Sequence, residues 1–337
     1  MDDNPVYDIT VLGAGPTGLF AAFYAGLRDM KTKVIESLPE AGGQLAVLYP
    51  EKFIYDVPGH PKVLAKDLVK SLVEQSQMFA PTFVFDERVE RLRRVDVAGE
   101  EVWELVTGPQ GSSHRSRTVV ICGGIGAFAP NRLDRPGVER LEGRGVRYFV
   151  QDKRELRGKR LLVIGGGDTA VDWCLNLKDW AQEVTLIHRR DQFRAHEASV
   201  TELRNSNVTV LTPWELGEVL GSSSVEGATI FHSVTREERR LEVDAVLVNV
   251  GFKAALGPIL EWGLELADHR HVRVNAEMAT SLPGVFAAGD LVQMDGVEPL
   301  PLIVTGFAQA AVAANGARHY LDPSARLMPG HSSELRL

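Results

Sequence analysis

Two glycine-rich segments have the residue types and spacing that hold the phosphates of a nucleotide. They read Gly13-Ala-Gly15-Pro-Thr17-Gly18 and Gly165-Gly-Gly167-Asp168-Thr169-Ala170. In such a segment the first glycine makes a tight turn, the second lets the backbone approach a pyrophosphate, and the last small residue lets a helix pack on a strand. The following helix directs free N–H groups and its positive dipole end at the phosphates. The sequence therefore predicts two dinucleotide sites.

The residues that would meet the ribose differ between the two segments. Glu36 lies 36 − 13 = 23 positions after the first glycine of its segment, and His188 lies 188 − 165 = 23 positions after its own. A carboxylate such as Glu36 accepts hydrogen bonds from a ribose hydroxyl and repels a 2′-phosphate. Arg189 and Arg190 follow His188, and two guanidiniums hold a 2′-phosphate through charge-assisted hydrogen bonds. We interpret the second site as NADP(H)-specific; the alternative is a solvated basic corner.

The same elements position both segments. An apolar strand precedes each glycine turn, a helix follows it, and a second strand ends at Glu36 or His188. Equivalent positions are 152 residues apart in both cases (165 − 13 and 188 − 36). This internal repeat of a nucleotide-binding unit predicts an α/β fold and makes a chance match improbable for either copy.

The chain between and after the repeats also shows periodic patterns. Apolar residues at helical spacing predict a helix over 63–79, and alanine-rich residues 306–319 predict a final one. Short β-branched runs over 82–122 and 208–250 predict strands separated by turns. Residues 37–59 are predicted to be irregular. A strand ending in Ala288-Gly289-Asp290 would let backbone and carboxylate approach a polyol or phosphate closely.

Composition limits the class of protein. A chain of 337 residues suggests about two domains. Its net charge of −8 argues against general affinity for nucleic acid. Cys122 and Cys174 are its only cysteines, so a disulfide framework or a cysteine metal site is not expected. No apolar stretch reaches the length of a spanning helix, and the first residues lack a signal-peptide pattern. We expect a cytoplasmic protein with no membrane or nucleic-acid partner.

The chain, with its two glycine-rich fingerprints (13–18 and 165–170) followed by Gly289-Asp290, resembles the two-domain flavoprotein disulfide reductases of the short thioredoxin-reductase type. That resemblance implies two Rossmann-like three-layer (ββα) domains, with the NADP domain inserted into the FAD domain. The implied FAD domain covers 1–125 and 252–337, including a C-terminal extension of about 322–337, and the NADP(H) domain covers 126–251. The redox C-x-x-C of that family is missing, and the region ahead of the second fingerprint reads Val146-Arg-Tyr-Phe-Val-Gln-Asp152.

One branch of the family, the thioredoxin-reductase-like ferredoxin–NADP+ reductases, also lacks the C-x-x-C. The chain is similar to that branch at 43–45, Tyr49, 126–128, 148–150, 165–173, 303–307 and 330–332. Residues 293–301 differ from the Tyr-Pro-Gly-Lys pattern expected after Gly289-Asp290.

The resemblance also implies site residues. Tyr49 and His331 would stack on the isoalloxazine, and the C-terminal tail would cover either its own flavin or that of the partner subunit in a homodimer. Other residues would bind the two cofactors, and no side chain is implied as a catalytic residue. For FAD they are Gly13, Gly15, Thr17, Gly18, Glu36, Gln44, the Val89 backbone, Phe128, Asp290 and Ser333. For NADP(H) they are Gly165, Gly167, Asp168, Thr169, Ala170, His188, Arg189 and Arg190.

The implied activity is hydride transfer from NADPH to FAD and single-electron transfer to ferredoxin or flavodoxin, or the reverse. An acidic carrier would need a basic docking patch, for which the sequence offers 153–160 and 88–94. One alternative is a flavoprotein reductase of another acceptor, either a disulfide protein or oxygen. Another is a non-catalytic sensor of flavin and NADPH.

Overall fold

The chain folds into two compact units. A computed structural model describes residues 4–108, 111–124, 126–150, 152–328 and 330, without the side chains of 127–129 and 252–255. The first unit contains the chain up to Val47, Phe53–Ala127 and the chain from Ala254 onward; the second contains Leu48–Lys52 and Phe128–Lys253. The sequence-based domain bounds put all of 1–125 in the FAD domain, whereas here Leu48–Lys52 belongs to the second unit.

The first unit is built on a mixed sheet with helices against it. Its strands are β1 (Val6–Leu12), β2 (Thr32–Ile35), β3 (Phe53–Ile54), β4 (Val63–Leu64), β5 (Thr82–Val84), β6 (Val89–Val97), β7 (Glu100–Thr107), β8 (Ser112–Ile121), β19 (Val272–Val274), β20 (Val285–Ala287) and β21 (Val292–Met294). Its helices are α1 (Pro16–Leu27), α2 (Gln44–Val47), α3 (Ala65–Gln77) and α6 (Ile303–Leu321), with a 3-10 turn at Gly257–Glu261. The seven-stranded sheet runs β5-β2-β1-β8-β7-β6, with β20 added beside β8. The pairs β3–β4 and β19–β21 form small separate sheets.

The second unit contains a parallel sheet and an antiparallel one. Its strands are β10 (Val146–Arg147), β11 (Arg160–Ile164), β12 (Glu183–Ile187), β13 (Thr209–Leu211), β14 (Trp214–Leu220), β15 (Gly227–His232), β16 (Glu238–Leu241) and β17 (Ala245–Val248). Its helices are α4 (Asp168–Leu177) and α5 (Glu197–Arg204), with a 3-10 turn at Lys153–Leu156. The parallel sheet runs β10-β17-β11-β12-β13, and β14-β15-β16 form the antiparallel sheet. The chain passes between the units in β9 (Ala127–Pro130) and β18 (Phe252–Ala255), which pair with each other.

The central strand β11 shows why the parallel sheet forms. Leu162 and Ile164 pack into one apolar cluster, whereas Leu161 and Val163 pack into another. Successive side chains of a strand point to opposite faces, so the apolar run 161–164 must be covered on both sides. Ile164 is in register with Ile187 of β12 and Val248 of β17. These three strands therefore end together, at the edge where open α/β sheets bind ligands.

The helices predicted at 63–79 and 306–319 correspond to α3 and α6. The predicted irregular stretch 37–59 contains a short helix, α2, and the strand β3. Among the described residues, no helix combines the length and apolar character that a membrane span requires.

Candidate nucleotide-binding sites

Both glycine turns have the same backbone hydrogen bond. The Gly13 amide donates to the Ile35 carbonyl at 2.8 Å, and the Gly165 amide donates to the Ile187 carbonyl at 3.1 Å. In each unit this bond ties the end of the first strand to the end of the second. The internal repeat predicted from spacing is therefore also a repeat of backbone geometry.

A second equivalent bond lies on the other side of each turn. The Cys122 amide donates to the Leu12 carbonyl, and the Asn249 amide donates to the Ile164 carbonyl, each at 2.8 Å. Cys122 follows β8, and Asn249 follows β17. The two residues occupy the same place in the two units, and sequence spacing alone had not matched them.

Steric crowding explains two of the glycines in the first turn. A Cβ at Gly18 would lie 1.9 Å from the Gly13 carbonyl oxygen. Gly13 itself has a φ of +103°, and a Cβ there would lie 2.6 Å from the Cys122 carbonyl oxygen. A Cβ at Gly15, in contrast, would meet only Gly43 Cα, at 3.9 Å. The space over Gly15 is the kind of opening that a pyrophosphate needs.

Glu36 is almost fully buried and hydrogen-bonded within the first turn. One carboxylate oxygen accepts from the Ala14 amide at 2.6 Å. The other accepts from the Leu38 amide at 2.9 Å and the Ser37 hydroxyl at 3.2 Å. The carboxylate thus holds the glycine turn in place. Its predicted contact with a ribose stays a prediction.

Asp290 and Gln44 meet near this turn. The Gln44 amide Nε2 donates to Asp290 Oδ2 at 3.3 Å. Burial raises the pKa of Asp290, and the bond from Gln44 opposes that change. The neighbouring Gly289 amide donates to Gln309 Oε1 at 2.8 Å, and a Cβ at Gly289 would lie 3.1 Å from the Thr17 hydroxyl. Gln44, Asp290 and Thr17 therefore belong to the same part of the first unit as the glycine turn.

The remaining residues predicted for FAD are Val89, Tyr49, Phe128, His331 and Ser333. Val89 begins β6 and is buried. Tyr49 lies in Leu48–Lys52, which packs in the second unit, where Lys52 pairs with Asp172. The Phe128 side chain, His331 and Ser333 lie outside the described residues.

A cavity of about 420 Å³ lies at the second glycine turn. Six of the eight residues predicted for NADP(H) line it: Gly165, Gly167, Thr169, His188, Arg189 and Arg190. Asp168 and Ala170 do not line it. Asp168 Oδ1 instead accepts from the His196 amide at 2.9 Å, and Ala170 is fully buried beside Gly165.

The cavity is strongly basic. Arg189, Arg190 and Arg194 all line it with exposed side chains. In the part of the chain that the structure describes, none of these three forms an ion pair with a carboxylate. Burial lowers the pKa of His188, and the three guanidiniums lower it further, whereas the bond to the Gln192 carbonyl opposes them. A bound anion would therefore meet three fixed positive charges.

Two residues of this cavity were missed from the sequence. Arg194 lies between β12 and α5, and its amide donates to the Gly166 carbonyl at 2.7 Å. Its charge, close behind Arg189 and Arg190, was a usable signal. Asn249 also lines the cavity, but no local pattern marks it. Its position depends on the pairing of β17 with β11.

Neither cysteine is suited to redox chemistry. Cys122 and Cys174 are both free and buried, and burial raises the pKa of each thiol. A thiol must ionise to attack a disulfide, so these two are expected to be inert. Among the described residues, no group of three histidines, cysteines or carboxylates could hold a metal ion.

The basic segments proposed for docking are largely neutralised within the chain. Ion pairs involve Arg88, Arg93, Arg154 and Arg160. Lys153 also pairs with Glu51, and both Lys153 and Arg157 lie over the Trp180 ring, at 4.9 and 5.6 Å from its centroid. Counting the basic residues in sequence therefore overstates the positive charge available to a partner.

Comparison with known proteins agrees with this architecture. The family model for pyridine nucleotide-disulphide oxidoreductases matches residues 7–317. A ferredoxin–NADP reductase of Thermus thermophilus is 52% identical over 97% of this chain and 96% of its own length. One of Geobacillus kaustophilus is 48% identical over 99% and 98%. The crystal structure of Lactococcus lactis thioredoxin reductase is 25% identical, with a TM-score of 0.75 over 94% of this chain and 99% of its own. The chain belongs to the pyridine nucleotide-disulphide oxidoreductase family.

Proposed function

We propose that this protein is a ferredoxin–NADP+ reductase, with FAD in the first unit and NADP(H) in the second. The relatives from Thermus thermophilus and Geobacillus kaustophilus carry that name and match almost the whole chain. The observation that carries the proposal is the opposite charge beside two matching glycine turns. The first has the carboxylate of Glu36, and the second has the guanidiniums of Arg189 and Arg190.

The residues of each site fit their proposed cofactors. In the first unit, the opening over Gly15 would take a pyrophosphate, and Asp290 and Gln44 offer polar groups for the ribityl chain. Glu36 keeps the turn closed and disfavours a 2′-phosphate nearby. In the second unit, Arg189 and Arg190 would bind the 2′-phosphate of NADP(H) in charge-assisted hydrogen bonds.

The flavin, when bound, supplies the exchange between a two-electron donor and one-electron acceptors. The protein binds and orients the partners of that exchange, and no side-chain acid–base pair is needed. Tyr49 and His331 would stack on the isoalloxazine, since flat aromatic systems favour such contacts. Because Cys122 and Cys174 are buried and unpaired, electrons pass to a carrier and not through a dithiol.

The carrier is ferredoxin or flavodoxin, and the protein acts in the cytoplasm as a homodimer. Acidic carriers would dock on basic side chains that form no ion pair with a described carboxylate, such as Arg91 or Arg157. Such docking weakens as salt screens the charges.

An anaerobic titration tests the proposal. We expect NADPH to bleach the flavin of the holoprotein stoichiometrically, and added ferredoxin or flavodoxin to restore its absorbance faster than oxygen or a disulfide protein does. Carrier reduction should slow as ionic strength rises. Rapid reoxidation by oxygen with no effect of either carrier would support the other-acceptor alternative. Bleaching without turnover by any acceptor would support the sensor.

A further inference from the structure

We propose that the Asn249 side chain binds the adenosine half of NADP(H). The inference rests on the proposed NADP(H) site and adds a residue to it. Asn249 lines the same cavity as Arg189 and Arg190, in the second unit. It directly follows a different strand, β17, on the other side of the glycine turn.

The carboxamide of Asn249 has an unmet hydrogen bond. The residue is only 7% exposed, yet its side-chain oxygen has no hydrogen-bond partner among the described residues. An unsatisfied buried polar group destabilises the folded state. Because this residue also lines the cavity, a ligand bound there would give the carboxamide the partner that it lacks.

The first unit shows that the scaffold does not require this carboxamide. Cys122 occupies the equivalent place and makes the same backbone bond, from its amide to Leu12. A Cβ at Gly13 would collide with the Cys122 carbonyl just as one at Gly165 would collide with that of Asn249. A buried thiol therefore suffices for packing against the turn. The carboxamide is an addition specific to the second unit.

The position of Asn249 indicates which half of the dinucleotide it meets. The arginines proposed for the 2′-phosphate face the same cavity, and that phosphate is attached to the adenosine ribose. A carboxamide offers both a donor and an acceptor. Adenine and the free ribose 3′-hydroxyl carry complementary groups, so either O/N orientation of the side chain finds a partner there.

The test measures binding of NADP+ and of adenosine 2′,5′-bisphosphate to the oxidised holoprotein by calorimetry. Asn249→Ala should raise the Kd of both ligands by the same factor, about tenfold, as expected for the loss of one or two hydrogen bonds. The matched control is Asn207→Ala. Asn207 is an exposed residue of the same unit, bonded to the Lys178 carbonyl, and its removal should leave both Kd values unchanged.

A stability measurement separates binding from a structural role. Asn249→Cys installs the residue of the first unit, and we expect the thermal midpoint without nucleotide to stay the same or rise. A lower midpoint with unchanged Kd values would overturn the inference, as would weaker binding of NADP+ with normal binding of the bisphosphate. Arg189→Ala with Arg190→Ala should weaken both ligands. If that variant binds normally too, the proposed NADP(H) site itself fails; if only the Asn249 variants bind normally, only this inference fails.

Discussion

The two glycine turns share a backbone and differ in the side chains that surround it. Gly13 and Gly165 make equivalent hydrogen bonds to the second strand of their units. Beside the first turn, Glu36 is buried and bonded to the turn itself. Beside the second, Arg189 and Arg190 are exposed and face a cavity. This difference supports the proposal that the shared scaffold provides the phosphate site, whereas the residues after the second strand select the nucleotide.

The largest expected effect comes from removing the selecting charges of the second turn. Arg189→Ala with Arg190→Ala should raise the KM for NADPH about 100-fold, since a loss of about 3 kcal/mol in charge-assisted hydrogen bonds corresponds to that factor. The KM for NADH, which has no 2′-phosphate, should change little. Steady-state kinetics with both nucleotides measures the difference.

A guanidinium outside the cavity provides the control for that variant. Arg204 ends α5 in the same unit, and Arg204→Ala removes one positive charge without touching the cavity. Its KM values should match those of the wild type. If the double variant keeps its preference for NADPH, the charge difference between the two turns does not select the nucleotide.

A smaller effect is expected from exchanging the small residue that follows each turn. Gly18→Ala should lower the free energy of unfolding by about 2 kcal/mol, because the added methyl meets the Gly13 carbonyl and the backbone must shift. In the second unit that position is Ala170, and Ala170→Gly should cost only about 1 kcal/mol, the usual helix penalty. Denaturant unfolding measures both. Equal losses of unfolding free energy in the two variants would show that the two helix–strand contacts are packed alike.

Much of the fold around the two repeated units could be predicted from the sequence. Helices α1, α3, α4 and α6 and the strands around both turns follow local patterns of period 3.6 or long apolar runs, and each was predicted. The length of strand β6 could not be predicted, because Arg91, Arg93 and Arg94 interrupt its apolar pattern. It forms because it pairs along its length with β7.

The residues of the candidate sites likewise fall into those that local sequence marks and those that only strand pairing or packing brings into place. Residues inside the glycine motifs, and those just after the second strand, could be named from spacing. Asn249 could not, because it reaches the cavity only through the pairing of β17 with β11. Nor could the packing of Leu48–Lys52 in the second unit, which depends on partners far along the chain, including Asp172 and Lys153.

The smallest expected effect concerns His188, which stands where the first unit has Glu36. Burial and the neighbouring guanidiniums lower the pKa of His188 in the folded protein, so the unfolded chain binds a proton at a higher pH than the folded one does. Stability must then fall as the pH drops through the unfolded value of about 6.5. We expect His188→Gln to make the decline in unfolding free energy between pH 8 and pH 5.5 shallower, as measured by denaturant titration without nucleotide. His269→Gln, which removes an exposed imidazole from the first unit, should leave the decline unchanged. A parallel decline in wild type and the His188 variant would mean that this site does not carry the pH dependence.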